Sequence, residues 1–259
     1  MTIRLMLISP AMNPALREAR FPRTDQPAAA DREPVDGGPA EREPGDRERA
    51  DREPGGDELD ALGLRQAEAV RETFPATATT YVSPSPRCRR TAEALGLAAK
   101  PLPALAPCAM GSWQGRTLDE VAAAEPHALA SWLSDPASAP HGGESLRTLL
   151  ARAAHWLDTL ADVTPGDGTP RDSTPGNSTP GDGTAGHGTA GGRVIAVAEP
   201  DIIRACAVHA LGATPAAFWR IDVRPLTATE LSGRAGRWNL LSGRPLHSAT
   251  PPPPHPLTP

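Results

Sequence analysis

Proline and glycine, of which the chain has 31 and 24, are concentrated in three low-complexity stretches that limit how much of it can fold. These stretches are residues 26–57, residues 164–192 and the tail at 247–259. Segments of this composition bury too little apolar surface to offset the entropy lost on folding. We therefore predict two disordered inserts and a disordered Pro-rich tail. Roughly 180–190 residues remain, which is a normal size for one domain, so we expect a single domain over residues 1–246.

Two of these stretches have an alternative interpretation as interaction segments. The first repeats short units of mixed charge that end in proline, and a docking segment is the alternative to a solvated loop. The tail contains four successive prolines at 251–254, which favour polyproline II and could bind a proline-recognition domain. A plain loop and a plain tail are the simpler interpretations.

The overall composition argues against several classes of protein. The net charge is −5 and no basic stripe is present, which gives no reason to expect nucleic acid. No run approaches the roughly 18 apolar residues of a membrane span, and the N-terminus lacks the pattern of a signal peptide. Cys88, Cys108 and Cys206 are widely spaced, which fits a reducing cytosol better than a disulfide framework or a metal site. We expect a cytoplasmic protein without cofactor, metal, nucleic acid or membrane partner.

The remaining residues alternate between apolar strands and helices. The predicted strands are Ile3–Ser9, Thr79–Ser83, Arg193–Ala198 and a closing antiparallel pair, Thr227–Ser232 and Arg237–Leu241. The predicted helices lie at residues 59–73, 86–97, 117–124, 126–133, 144–160, 200–211 and 216–220. This order predicts an α/β fold, a three-layer α/β/α sandwich with a mostly parallel central sheet.

Two finer predictions follow from this pattern. In the helix at 59–73, the spacing of Leu62, Ala69 and Val70 predicts one buried stripe. Sites in such sheets form beyond the carboxyl ends of the strands. The dipeptides Ser-Pro at 9–10, Ser-Pro at 83–84 and Glu-Pro at 199–200 are therefore predicted to lie together at one rim.

Four segments carry distinctive motifs, in a fixed order along the chain. Residues 83–95 begin Ser-Pro-Ser-Pro-Arg-Cys and continue as a helix, and residues 111–117 read Gly-Ser-Trp-Gln-Gly-Arg-Thr. Residues 142–145 read Gly-Gly-Glu-Ser, and residues 194–204 form an apolar strand, a Glu-Pro dipeptide and a helix. Each motif alone is weak evidence for a fold, but all four in this order are strong evidence.

Together these segments resemble the histidine phosphatase (phosphoglycerate mutase-like) superfamily. The segment at 111–117 is similar to its small-molecule phosphatase branch, which includes the alpha-ribazole phosphatases. The resemblance spans residues 3–241 with two inserts, and implies a phosphoglycerate mutase-like fold. It also implies that Arg87 corresponds to a phosphate-binding arginine, which makes it the anion-binding candidate.

At the positions that carry this family's chemistry, the chain departs from the pattern. The match puts Ser9 at the first arginine, Pro10 at the phosphorylated histidine, Pro107 at the general-acid glutamate and Glu199 at the second histidine. No histidine precedes His127 and none lies in the strand before the Glu-Pro dipeptide, so shifting the alignment does not restore the pair. Proline has no nucleophile, donor or titratable group, so we expect no catalytic residue at these positions.

A glutamate in this pocket also changes what the pocket can bind. A carboxylate about 4 Å from one phosphate charge costs roughly 4 kcal/mol at an effective dielectric of ~20, which is on the order of a thousandfold in affinity. A buried arginine needs a partner. We therefore predict that Arg87 and Glu199 form an ion pair at the former phosphate position.

Three residues are candidates for the pocket rim, because the resemblance places their loops near the site mouth. They are Trp113, His141 and Glu144, and His141 is also an alternative acid–base group. The remaining tryptophans are interpreted as packing residues.

Other nucleophiles have simpler structural interpretations. Ser9 with Glu199 as its base is a poor nucleophile without histidine or lysine, and a serine bonding to backbone is the simpler role. Cys108 and Cys206 lie in apolar contexts typical of buried packing. His209, near the end of a helix, is interpreted as structural.

These observations leave two functions open. One is a non-catalytic family member that binds or scaffolds an unknown small molecule or protein partner. The alternative is a weak or repurposed phosphomonoester hydrolase acting on a small phosphorylated metabolite. The missing nucleophile favours the first.

Overall fold

A computed structural model of the chain describes residues 2–23, 59–71, 74, 78–162, 192–234 and 236–246. The insert predicted at 26–57, all but the last residue of the insert predicted at 164–192, and the tail predicted at 247–259 lie outside the described residues. No helix in the described ranges is long and apolar enough to cross a membrane.

A six-stranded mixed sheet forms the centre of the domain. Its strands, in chain order, are β1 (Ile3–Ile8), β2 (Thr79–Val82), β3 (Lys100–Pro101), β4 (Arg193–Val197), β5 (Thr227–Arg234) and β6 (Arg237–Pro245). Their order across the sheet is β3-β2-β4-β1-β5-β6. The neighbouring strands among β3, β2, β4 and β1 are parallel. The strand β5 is antiparallel to both β1 and β6, which lies at the edge of the sheet. The predicted strands and the closing antiparallel pair are confirmed.

Six of the seven described α-helices are those that the sequence predicts, and the short first helix is an addition to the prediction. The helices are α1 (Pro14–Arg17), α2 (Ala61–Ala69), α3 (Pro86–Ala94), α4 (Leu118–Ala124), α5 (Pro126–Ser134), α6 (Leu146–Asp162) and α7 (Pro200–Ala210). Proline occupies the first turn of α1, α3, α5 and α7, where its missing N–H costs nothing. The helix predicted at 216–220 is a 3-10 helix over Pro215–Arg220.

The strands divide their side chains between two cores, one on each face of the sheet. Alternate residues of β1 and β4 point to opposite faces. Leu5 and Leu7 join the larger cluster under α6 and α7, and Ile195 and Val197 join the smaller cluster with Cys88 of α3. The three-layer α/β/α architecture predicted from the alternation is confirmed.

Helix α2 buries a different stripe from the predicted one. Gly63, Ala67 and the capping residue Val70 are buried, while Leu62 is 47% exposed and Ala69 is also exposed. The physical reason is a close approach, because a Cβ on Gly63 would lie 2.7 Å from the carbonyl oxygen of Met12. The helix therefore meets the core through Gly63 and Ala67, which a pattern of large apolar residues does not reveal.

Candidate functional site

Three parallel strands bring their carboxyl ends to one rim. Ile8 of β1 and Val82 of β2 both pair with Val197 of β4. Ser9 and Ser83 directly follow their strands and Glu199 follows β4 after one residue, so the three emerge at the same rim, as the sequence predicts.

Arg87 and Glu199 form a bidentate ion pair at this rim. Arg87 lies in the first turn of α3, and Glu199 occupies the N-cap position of α7. The Nη2 of Arg87 donates to Oε2 of Glu199, and Nε lies 3.3 Å from Oε1. Both residues are buried, with exposures of 8% and 6%. The ion pair predicted from the sequence is present.

Two neighbouring side chains complete the pair, one from the N-cap of α3 and one from the N-cap of α1. Ser85 donates its hydroxyl to Oε1 of Glu199 at 2.7 Å, and Nη1 of Arg87 donates to Oδ1 of Asn13 at 3.2 Å. Asn13 in turn caps α1 by accepting from the backbone N–H of Leu16. Glu199 makes no capping hydrogen bond to its own helix, because its carboxylate is directed to Arg87. The pair is therefore held at the N-terminal ends of three helices, α1, α3 and α7.

The electrostatics of the rim favour a charged arginine. Burial lowers the pKa of Arg87, but the charge and hydrogen bonds of Glu199 outweigh it, so the pKa is raised overall. The pKa of the Cys88 thiol is well above its usual range, chiefly because of burial and then because of the nearby Glu199 charge. This thiol is consequently neutral and a poor nucleophile.

The other positions matched to the family's chemistry have structural roles. The Ser9 hydroxyl donates to the carbonyl of Arg224 and accepts from the backbone N–H of Thr227 at 3.2 Å. Pro10 and Pro107 are buried. The interpretation of Ser9 as a strand-end residue that bonds to backbone is thus confirmed.

Asp201 belongs to the site and was not predicted. Its Oδ2 accepts from the backbone N–H of Cys108 at 2.6 Å, and its Oδ1 accepts from that of Ile202 at 2.7 Å. Burial, together with the charge of Glu199, raises its pKa to about 6, although the N–H of Cys108 acts in the opposite direction. An acidic residue in the first turn of a helix that follows a Glu-Pro dipeptide is the signal that could have identified it.

A cavity of about 230 Å³ adjoins the ion pair. Its lining includes both members of the pair and Asp201, so it lies beyond the strand ends where a site was expected. Further lining comes from four aromatic residues and three arginines: Phe21, Trp132, Phe218, Trp219, Arg20, Arg23 and Arg204.

The three residues predicted at the pocket rim do not line this cavity. Trp113 is fully buried, and its Nε1 donates to Glu125 at 3.0 Å. His141 packs 5.0 Å from Trp113 between ring centroids, and burial lowers its pKa. Glu144 forms a bidentate pair with Arg152. These side chains therefore belong to the structure around the site.

The remaining histidines and cysteines of the described residues also lie away from the cavity chemistry. His127 and His155 are exposed, and His209 contacts Asp158 at 3.1 Å. Cys206 is buried, and burial raises the pKa of its thiol. Within the described ranges, no cluster of three or more histidine, cysteine and acidic residues could hold a metal ion.

Comparison with known proteins identifies one family. A model of the histidine phosphatase superfamily (branch 1) matches residues 46–169. This range includes Arg87 and the two glycine-containing motifs, and it excludes Ser9, Pro10 and Glu199. No curated protein matches the chain.

Solved structures share the fold at low sequence identity. The native structure of mycobacterial glucosyl-3-phosphoglycerate phosphatase is 21% identical, with a TM-score of 0.64, and covers 95% of this chain and 100% of its own. The alpha-ribazole phosphatase from Shigella flexneri is 13% identical, with a TM-score of 0.63, and covers 96% and 100%. A complex of the mycobacterial phosphatase with inorganic phosphate is 23% identical, with a TM-score of 0.59, and covers 92% and 95%.

Proposed function

The chain belongs to the histidine phosphatase superfamily, and on that premise we propose that it is a non-catalytic member that binds a small molecule other than a phosphate ester. One observation carries the proposal. Arg87, the arginine that the family resemblance assigns to phosphate binding, is occupied by the buried carboxylate of Glu199. The protein thus supplies its own anion where a substrate anion would bind.

Displacing that internal anion is unfavourable. A phosphate that reached Arg87 would have to break a bidentate, charge-assisted contact, and it would leave Glu199 buried without its partner. Two charges of the same sign about 4 Å apart repel by roughly 4 kcal/mol at an effective dielectric of ~20. This repulsion corresponds to about a thousandfold loss in affinity.

The rim also lacks an activated nucleophile among the described residues. None of the four described histidines lines the cavity. The Ser9 hydroxyl is committed to backbone groups, and burial raises the pKa of the Cys108 thiol, which donates to the carbonyl of Glu144 at 3.4 Å. A phosphoryl group would have no side chain to accept it.

Binding is favoured over a purely sealed scaffold because a cavity remains beside the ion pair. Its volume of about 230 Å³ is enclosed by apolar and charged side chains together, which is the usual composition of a small-molecule site. The Arg87–Glu199 pair therefore fills the position of the substrate anion, and the cavity beside it is left for another ligand.

An assay of phosphomonoester hydrolysis tests the proposal. We expect the wild-type chain to hydrolyse para-nitrophenyl phosphate no faster than the variant Arg87→Ala. Arg89→Ala is the matched control, since Arg89 is exposed on the same helix. Turnover by the wild type that disappears in Arg87→Ala, shown by circular dichroism to be folded, but persists in Arg89→Ala would overturn the proposal in favour of a phosphatase.

A reconstructed variant tests the origin of the site. Ser9→Arg, Pro10→His, Pro107→Glu and Glu199→His together restore the residues that the family resemblance implies. If the fold otherwise retains the phosphatase geometry, the fourfold variant gains hydrolysis that the wild type lacks. Circular dichroism establishes that the variant folds before its activity is compared.

A further inference from the structure

The cavity beside the ion pair is walled by aromatic rings. The chain has nine aromatic residues (five Trp, three Phe and one Tyr), and four of them line this one cavity. The ring centroids of Trp132 and Trp219 are 4.7 Å apart, those of Phe218 and Trp219 are 4.9 Å apart, and those of Phe21 and Trp132 are 5.9 Å apart. Each of these pairs meets edge to face, so the rings form one continuous wall.

Two arginines in this cavity have no carboxylate partner in the described part of the chain. Arg204 donates its Nε to the carbonyl of Ile221 at 2.8 Å, and its Cζ lies 5.8 Å from the ring centroid of Phe218. These contacts fix the guanidinium without neutralising it. Arg23 is exposed at the cavity and makes no hydrogen bond or ion pair with a described residue.

The other charges that line the cavity are already engaged. Arg20 pairs with Glu18 at 2.6 Å, and Arg87 pairs with Glu199. The carboxylate of Asp201 accepts two backbone N–H groups. These hydrogen bonds do not cancel the charge of Asp201, which is ionised above pH 6, so the two unpaired guanidiniums exceed it and the lining keeps a smaller positive surplus at Arg204 and Arg23.

We propose that this cavity binds a small planar organic carboxylate, with its ring against Trp132 and Trp219 and its carboxylate at Arg204. The proposal rests on the proposed function, in which the Arg87 position no longer takes a substrate anion. Arg23 adds positive charge, and a guanidinium fork recognises a planar carboxylate through two hydrogen bonds. The cavity is smaller than the roughly 300–1,000 Å³ of sites for drug-sized ligands, so its volume of about 230 Å³ limits the ligand to one or two rings.

Calorimetric titration with matched probes tests both the ring and the charge. The probes are naphthalene-2-carboxylate, its neutral amide, and the cation benzyltrimethylammonium. We expect the carboxylate to bind with a Kd of about 1 mM or tighter, the amide to bind at least about tenfold more weakly, and the cation not to bind. Equal binding of carboxylate and amide, preference for the cation, or no binding of the carboxylate up to about 10 mM would each overturn the proposal.

Three arginine variants locate the site. Arg204→Gln and Arg23→Gln should each weaken binding of the carboxylate by about tenfold while leaving the amide unchanged. Arg220→Gln is the matched control, because Arg220 is exposed on the segment that carries Trp219 and does not line the cavity. Arg23 has no described hydrogen bond to lose, so its replacement keeps the test valid if Arg204→Gln fails to fold. Equal effects of all three variants would show a general charge effect and contradict the site.

Different results would refute the non-catalytic function and the carboxylate ligand. Hydrolysis of para-nitrophenyl phosphate that depends on Arg87 would refute the non-catalytic function even if naphthalene-2-carboxylate binds. Absence of both hydrolysis and carboxylate binding would refute only the ligand class inferred here.

Discussion

Arg152 is joined to Glu144 by the same bidentate geometry that joins Arg87 to Glu199, but the two pairs have different surroundings. The remaining donor group of Arg152, Nη1, binds the backbone carbonyls of Ala104 and Ala106 at 2.8 and 2.9 Å. The corresponding group of Arg87 binds only a side chain, that of Asn13. The Arg152–Glu144 pair thus holds residues 104–106 against α6, and the Arg87–Glu199 pair faces a cavity.

Burial separates the two pairs further. The side chains of Arg87 and Glu199 are 10% and 7% exposed, while those of Arg152 and Glu144 are 24% and 12% exposed. A pair that holds backbone serves the fold directly. A deeply buried pair that holds only side chains stabilises little by itself, and its loss is severe because a charge is left behind. The same two residue types therefore hold backbone in one place, and in the other they hold only side chains beside a cavity, where we propose that Glu199 takes the position of a substrate anion.

The largest expected effect comes from removing one charge of the cavity-facing pair. Glu199→Gln leaves Arg87 buried without a counter-charge, and we expect a loss of about 3 kcal/mol in the free energy of unfolding. Glu144→Gln should cost only about 1–2 kcal/mol, because Arg152 keeps two carbonyl acceptors and reaches more solvent. Urea denaturation with unchanged m-values measures both losses. Equal losses would mean that the two pairs do not differ as described, and no loss for Glu199→Gln would refute the buried pair.

A somewhat smaller effect involves Asp201, which interacts electrostatically with Glu199 of one pair and Arg152 of the other. Its pKa is about 6 in the folded chain against an ordinary 3.8. The folded state therefore holds a proton that the unfolded state releases between these values. The stability that this proton contributes is complete below pH 3.8 and is lost as the pH rises through about 6.

The expected measurement compares the wild type with Asp201→Asn across this range. From pH 4 to pH 7, the wild type should lose about 2 kcal/mol relative to the variant. Other carboxylates titrate alike in both proteins, so the difference isolates Asp201. A constant difference across the range would contradict the raised pKa and the electrostatic link between the pairs.

The sequence was sufficient for the layers and for five of the six strands, but not for the two-residue edge strand β3. It was also sufficient for the Arg87–Glu199 pair, once the family resemblance had placed both residues in one pocket. Apolar runs and proline at helix starts are local signals, and the pair followed from a charge that had to be neutralised. Helix α2 shows where local signals fail, since Gly63 faces the core for lack of a side chain. The buried face there is set by the approach of Met12, which lies far away in sequence.

The cavity beside the ion pair could not be derived from the sequence in the same way. Trp132, Trp219 and Arg204 come from separate elements, and only the packed tertiary structure brings them to one wall. Trp113 has the same residue type and a more suggestive motif, yet it lies beneath the wall, fully buried. The residue type identified candidates for the pocket rim, but whether each side chain is buried or lines the cavity depends on contacts between segments that are distant in sequence.

The smallest expected effect comes from removing both members of the cavity-facing pair. Arg87→Met with Glu199→Leu replaces two buried charges by apolar side chains, and we expect stability within about 1 kcal/mol of the wild type. The same exchange at Arg152 and Glu144 should still cost about 2–3 kcal/mol, because the carbonyls of Ala104 and Ala106 lose their donor. Urea denaturation of the two double variants beside their single variants measures the recovery. If the Arg87 and Glu199 double variant is as unstable as Glu199→Gln alone, the pair contributes stability of its own, and its presence in the cavity needs no explanation from ligand exclusion.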